Sequence, residues 1–292
     1  DLQSEDVRLL GLQLPSGSRL RGDPMLNARG MGSVESPGGT ADVTADSLEI
    51  DSAATERSGT IPVGRVVVKA VAEEREGTVK GWGQNPFGAV GVGDNVTRYT
   101  PVDVMGLDNV SGISAGGFYS IALKNDGTVW AWGKNNLGQI GDGTTTNRFL
   151  PVQSAGLTGV TAISAGRDHA LALKDNGTVW AWGKNDLGQI GDGTTTNRVL
   201  PVQSAGLTGV TAISAGEAHS LALMSDGTVR AWGGNFFGEL GDGTTTHRGT
   251  PVQVSGLTDV LAISAGGYFS VALRNDGTVW AWGSGTDGQI GD

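Results

Sequence analysis

The sequence predicts an all-β fold, a β-propeller built from 50-residue blades, and three observations lead there. The dipeptide Trp-Gly returns at Trp82, Trp132, Trp182, Trp232 and Trp282, a period of 50 residues without drift. Pro-Val keeps the same step at Pro101, Pro151, Pro201 and Pro251, and Ser-Ala-Gly keeps it from Ser114, Ser164, Ser214 and Ser264. Between these markers, short β-rich runs alternate with Gly-bounded turns, and no helical period appears. A fixed period is the signature of stacked repeat units. Units of this length with three or four short strands fit propeller blades.

One unit, Val160 to Gly183, shows how the strands arise. Val160–Ala165 is β-rich. A turn follows at Gly166-Arg167-Asp168, then a short apolar strand, His169–Leu173. Lys174-Asp175-Asn176-Gly177 reads as a tight hairpin, because Asn-Gly and Asp-Gly tolerate positive φ. Gly127, Gly227 and Gly277 stand at the same place, each after Asp. In the strand Val179–Trp182, side chains alternate, so Trp180 and Trp182 share one face and Val179 and Ala181 the other. Small residues let neighbouring blades approach while Trp fills the space between them. The stretch after Gly183 is polar and Gly-rich, with one short strand expected around Gln189-Ile190. Pro201-Val202 is expected to open the next unit. Blades are placed near 62–111, 112–161, 162–211 and 212–261, with a partial one at 262–292.

Residues 1–61 lack the clean repeat. Val7–Leu14 and Ser47–Ile50 are candidate strands, separated by Gly-, Ser- and Pro-rich stretches. This segment is expected to be a linker or partly disordered arm. Gly30-Met31-Gly32 resembles a decayed Trp-Gly site. The stretch from Ala70 to Gly83 matches the repeat hairpin in degraded form, so the first blade is expected to open near Pro62.

Composition narrows the function. The formal charge of −10 comes without any basic block, which disfavours nucleic acid and anionic membranes as partners. No apolar run reaches the roughly 18 residues of a membrane helix, so no membrane insertion is expected. Cysteine is absent, which removes disulfides, thiolate catalysis and cysteine-bound metals. His169 and His219 occupy the repeat position of Tyr119 and Phe269, which argues for packing. His247 replaces Asn147 and Asn197 in a loop and is expected to be solvated. Asp142, Asp192 and Asp242 each offer one carboxylate, poor for calcium and suited to capping a turn. No catalytic constellation, phosphate-binding loop or zinc spacing stands out. The expectation is therefore no enzyme, no cofactor and no metal.

The string from His219 to Gly233 (HSLALMSDGTVRAWG) resembles the repeat of the regulator of chromosome condensation family, as does Asn185 to Gly193. Propeller repeats of the WD type have a shorter period and a Trp-Asp pair, and kelch repeats use a Gly-Gly doublet; neither signature occurs in step here. The resemblance covers roughly Gly77 to Asp292. Such proteins typically close seven blades, so the four to five blades here imply an incomplete ring, open or truncated, with oligomerisation as one consequence.

Comparison of the units points to a surface. The near-copies following Trp132 and Trp182 differ at Arg167/Glu217, Asp168/Ala218, Lys174/Met224, Asp175/Ser225 and Trp180/Arg230. The corresponding loop elsewhere is Gly117-Phe118-Tyr119 and Gly267-Tyr268-Phe269. Drift after duplication would also produce such changes. A scaffold presenting a varied rim would concentrate them in loops, and aromatics with Arg are typical interface anchors. The candidate partner-binding residues are Phe118, Tyr119, Arg167, Asp168, Glu217, Tyr268 and Phe269. The family resemblance implies a bacterial, exported or cell-surface protein-binding propeller, since the family includes an inhibitor of β-lactamases that binds through its rim. Its alternative implication is a guanine nucleotide exchange factor for a small GTPase.

Overall fold

The computed structural model describes residues 77–291 together with two short strands, β1 (Asn27–Ala28) and β2 (Leu48–Glu49). The chain divides into two compact units, Asp1–Arg75 and Glu76–Asp292. In the first, β1 and β2 pair antiparallel, with Ala28 opposite Leu48. The other expectations for this part (a strand at Val7–Leu14, a decayed site at Gly30-Met31-Gly32, an opening near Pro62, partial disorder) lie outside the described residues.

The second unit is a β-propeller arc of five sheets. The first contains β3 (Lys80–Gly83) and β4 (Arg98–Asp103). The next holds β5 (Val110–Ala115), β6 (Tyr119–Lys124), β7 (Val129–Gly133) and β8 (Arg148–Gln153). It is followed by β9 (Val160–Ala165), β10 (His169–Lys174), β11 (Val179–Gly183) and β12 (Arg198–Gln203). Then come β13 (Val210–Ala215), β14 (His219–Met224), β15 (Val229–Gly233) and β16 (Arg248–Gln253). The last sheet is β17 (Val260–Ala265), β18 (Phe269–Arg274) and β19 (Val279–Gly283). Each four-stranded sheet is an antiparallel meander in chain order. The first strands, β5, β9, β13 and β17, neighbour one another in series. Among the described residues no strand joins the first sheet to the last, so the described blades do not close a ring.

Local chemistry sets the hairpins. Gly127, Gly177, Gly227 and Gly277 have φ of 76°, 73°, 77° and 83°. In the first of these turns, Asp126 Oδ1 accepts from Thr128 N at 2.9 Å and Thr128 Oγ1 at 2.6 Å. A Cβ on Gly177 would lie 2.9 Å from Gly209 N, so this position needs glycine for space as well as for φ. The expected strand at Gln189-Ile190 is instead a turn. Gly188 and Gly191 flank it with φ of 84° and 76°, and Ile190 N is held by Asn185 Oδ1 at 3.0 Å while its side chain is fully buried. The fourth strand is β12, which contains Pro201-Val202 and completes the sheet of Trp182 rather than opening the next. Proline is tolerated because β12 pairs only with β11 and is an outer edge.

Blades are joined by a repeated plug. Ala170, Ala172 and Trp182 of one blade pack on Ile121, Leu123, Val129 and Ala131 of the preceding blade. The same halves meet again as Ala222 and Trp232 on Leu171, Leu173, Val179 and Ala181. Each sheet thus has a Leu/Val face and an Ala/Trp face, and the small Ala side chains bring the backbones close around the indole. Trp132, Trp182, Trp232 and Trp282 each donate Nε1–H at 2.8 Å to a carbonyl of the preceding blade, namely Ala89, Gln139, Gln189 and Glu239. A Cβ on Gly191 would come within 2.7 Å of the Trp232 indole nitrogen, which explains the glycine after Gln-Ile in the repeat. Trp82 is 63% exposed, and Val279 is 66% exposed where Val129, Val179 and Val229 are fully buried. An adjoining blade is what buries these positions.

His169 and His219 belong to the same junctions. Both are buried, with Nε2 3.0 Å from Ser220 Oγ and 2.9 Å from Ser270 Oγ of the following blade. Each serine spends its own proton on a carbonyl, Gln189 and Glu239 respectively. The network therefore assigns the proton to Nε2 of each ring. Nδ1 of His169 has no partner, so a second proton there would be buried without an acceptor. Burial pushes the pKa of His169 down to about 3 and that of His219 down to about 4.

Two outcomes follow. Trp182→Phe keeps most of the packing but leaves the Gln139 carbonyl bare, and should cost about 1–3 kcal/mol in denaturant unfolding. Trp82→Phe, at an exposed position, should stay within about 0.5 kcal/mol. The unfolded chain protonates His169 and His219 near pH 6.5, while in the folded protein these two stay neutral until about pH 4 and below. Stability is therefore complete above pH 6.5 and falls as pH drops from there towards 4, by up to about 1.4 kcal/mol per histidine per pH unit. The double variant His169→Phe/His219→Phe, which adopts the residue of Phe269, should flatten that slope in melts between pH 7 and 4.5.

Candidate functional site

Two loops per blade meet at one end of the propeller. The first is the short turn after the inner strand: 116–118, 166–168, 216–218 and 266–268. The second is the long connection after the third strand, beginning at 84, 134, 184, 234 and 284. Backbone bonds tie them together: Lys134 N to Phe118 O, Lys184 N to Asp168 O, Gly234 N to Ala218 O, and Ser284 N to Tyr268 O, at 2.7–2.9 Å.

Internal caps fix the long loops. Asp142 Oδ1 accepts from Thr144 N, Thr144 Oγ1 and Asn135 Nδ2, and Oδ2 accepts from Arg148 Nε at 2.6 Å. Asp192 and Asp242 repeat the arrangement. Partial burial opposes ionisation at Asp142, but the Thr144 and Arg148 hydrogen bonds outweigh it and hold the carboxyl below its ordinary range. These carboxylates cap turns with chain donors. His247 is exposed, yet its Nδ1 accepts from Asn235 N at 2.9 Å, the bond that Asn147 and Asn197 provide in their blades. Among the described residues no group of three or more His, Asp or Glu is placed to hold a metal ion.

Above these caps the predicted residues join in a network across blades. Arg167 Nη1 pairs with Glu217 Oε1, and Tyr268 OH donates to the same oxygen at 2.8 Å. Asp168 Oδ1 accepts from Gln139 Nε2 at 3.0 Å and lies 3.3 Å from Lys134 Nζ, while Arg167 Nε lies 3.7 Å from Asp168 Oδ2. Lys134 Nζ sits 5.8 Å from the Phe118 ring centre, and Phe118 meets Phe87 edge-on. At the other end, Tyr268 meets Phe237 edge-on at 5.5 Å. The hydrogen bond to Glu217, then partial burial and the Glu217 charge, raise the Tyr268 pKa. Beside the network lies an open depression lined by Ala165, Gly166, Ala215 and Gly216, where Arg167 and Glu217 supply the charge.

Phe118, Arg167, Asp168, Glu217 and Tyr268 thus share one surface. Tyr119 and Phe269 do not. Tyr119 is 1% exposed, and its hydroxyl donates to the carbonyls of Gly166 and His169 in the next blade. Phe269 occupies the same inward slot in the last sheet. Alternation along the strand turns Tyr119 into the junction and leaves Phe269 half-buried on the matching face of the last sheet, while their neighbours at 118 and 268 face outward. Lys174 and Trp180 also lie away from the rim, at the hairpin end, where Lys174 Nζ is 5.3 Å from the Trp180 ring centre. Sequence reasoning missed Phe87, Lys134, Phe236 and Phe237. For Phe87 and Phe237 a departure from the repeat was visible, since both stand where Leu137 and Leu187 do, but it did not show what they touch; Lys134, matched by Lys184, gave no sign.

The matching family model is described as the RCC1-like domain and covers residues 40–292. Among solved structures, human WBSCR16 matches with a TM-score of 0.64 at 24% identity, over 73% of this chain and 59% of that one. Prp20p from Saccharomyces cerevisiae matches with a TM-score of 0.59 at 24% identity, over 72% of this chain and 52% of that one. The chain therefore spans somewhat over half the length of either structure. A search of curated proteins gives no significant match. With the 50-residue period, the indole plugs and the family model in agreement, this chain belongs to the RCC1-like domain family.

Proposed function

We propose that this chain is a non-catalytic protein-binding scaffold that takes its partner on the loop rim. The observation that carries this reading is the Arg167–Glu217–Tyr268 network. It is built from substitutions between blades that are otherwise near-copies, and it sits on caps that the blades share. Arg and Tyr flanked by exposed Phe are residue types that anchor interfaces. The Prp20p structure was described together with that protein's binding to Gsp1p and histones, so a protein of this fold has protein partners. An exported or surface location belongs to the same reading. Exchange on a small GTPase is the second reading, suggested by the family resemblance.

Tagged protein would be used to isolate a partner, with β-lactamase inhibition and GTPase nucleotide exchange assayed in parallel. Phe118→Ala and Tyr268→Ala should each weaken partner binding about tenfold, or about 1.4 kcal/mol, without lowering the melting temperature. Arg167→Glu and Glu217→Arg should each weaken it, and the double swap should recover part of the loss. Unchanged affinity in all of these variants would remove the rim from the mechanism.

A further inference from the structure

One corner of the rim differs from the others in charge. In two blades the residue after the loop tip is a buried glutamine whose amide is used at both ends. Gln139 Oε1 accepts from Leu137 N at 2.9 Å, and its Nε2 donates to Asp168 Oδ1 at 3.0 Å. Gln189 Oε1 accepts from Leu187 N, and its Nε2 donates to Asp186 Oδ1 at 3.1 Å. The next blade has Glu239 at this position. Its Oε2 accepts from Phe237 N at 2.8 Å, as the glutamine oxygens do. The second oxygen has replaced a donor, and it makes no hydrogen bond or ion pair among the described residues. Glu239 is nevertheless 2% exposed.

Surrounding substitutions run in the same direction. Lys134 and Lys184 of the earlier blades give way to Gly234, so the local cation is lost where the acid is gained. The position of Asp168, which receives the Gln139 amide, becomes Tyr268 opposite Glu239. A Cβ on Gly283 would be 2.6 Å from Tyr268 O and 3.4 Å from Glu239 Cα, which shows how closely the two chain segments approach. Tyr268 also leans on Glu217. Phe237 is 52% exposed and stands at 67° to Tyr268, while the neighbouring Phe236 meets the His247 ring edge-on at 4.5 Å. Ring faces are electronegative and attract cations. The free Glu239 oxygen is not one of the enclosed polar atoms without a partner, so it reaches solvent, where a donor from outside can take it. The corner thus combines two carboxylates with two exposed rings, and among the described residues the cation seen against them is Arg167, paired to Glu217.

We propose that Phe237, Tyr268, Glu217 and Glu239 form a recognition site for a cationic side chain, lysine or arginine, projecting from a protein partner. This rests on the rim-binding reading and gives it a chemistry. The rings hold the apolar stem and face of the side chain, and the carboxylates hold its head.

The test is an NMR titration of the full chain with acetyl-Gly-Arg-Gly-amide, its Lys analogue and its Gln analogue. The Arg and Lys peptides should give saturable shifts at the amides of Phe237, Leu240 and Tyr268, and the Gln peptide none. Glu239→Gln installs the residue of Gln139 and Gln189, so the fold should persist with an unchanged melting temperature. It should weaken the Arg peptide about tenfold. Phe237→Leu, the residue of Leu137, should weaken it also. Equal shifts from the Gln peptide, or full affinity in a folded Glu239→Gln variant, would overturn the assignment. Flat titrations combined with loss of partner capture in Phe118→Ala would overturn the cation site and leave the rim surface standing.

Discussion

The bond from the indoles of Trp132, Trp182, Trp232 and Trp282 to a carbonyl of the preceding blade is the constraint on which the rest of the structure depends. It couples the hydrophobic plug to a directional contact, so the blades cannot slide on one another without leaving a buried carbonyl unpaired. Four junctions repeat it at the same length. The glycine that cradles the indole, the alanines that thin its own sheet face, and the Leu/Val face that receives it all serve this insertion. Even the histidines follow from it, since they fill the remaining part of the same junction between two facing sheets.

A junction fixed in this way frees the loops. The Asp142-type caps satisfy the long connections internally, and the hairpin glycines close the opposite end, so neither end needs its variable side chains for folding. Variation can then gather at positions such as 167, 217, 237 and 268 with little structural penalty. The result is an invariant stack carrying a changeable surface, an arrangement that fits a protein-binding scaffold.

Much of this was legible in the sequence because the period aligns equivalent residues. Trp182 and Gly177 announce their roles by recurring, and the direction in which Trp182 and Val179 face follows from strand alternation. Half of the rim was legible for the same reason, as Arg167, Glu217 and Tyr268 depart from a repeated frame. What escaped depended on contacts between distant segments. Tyr119 adjoins a rim residue in sequence but points between sheets, because its position is the first of β6. Lys134 and Phe237 lie on a connection that gives no linear sign of meeting the turn before β6 or the start of β18. Ile190 imitates a strand in composition, yet glycines on both sides curl it into a plug.

The indole bond also gives the stack a polarity. At each of the four junctions the later blade supplies the donor and the earlier one the acceptor, so the loops appear in one fixed order along the arc. That order runs from the Lys134 end to the Glu239 end, and no rotation of the unit reverses it. A symmetric scaffold would present the same face to a partner in several registers. This one offers a vector, with an aromatic and acidic terminus, and a partner that matches its sequence of charges can settle on it in only one orientation.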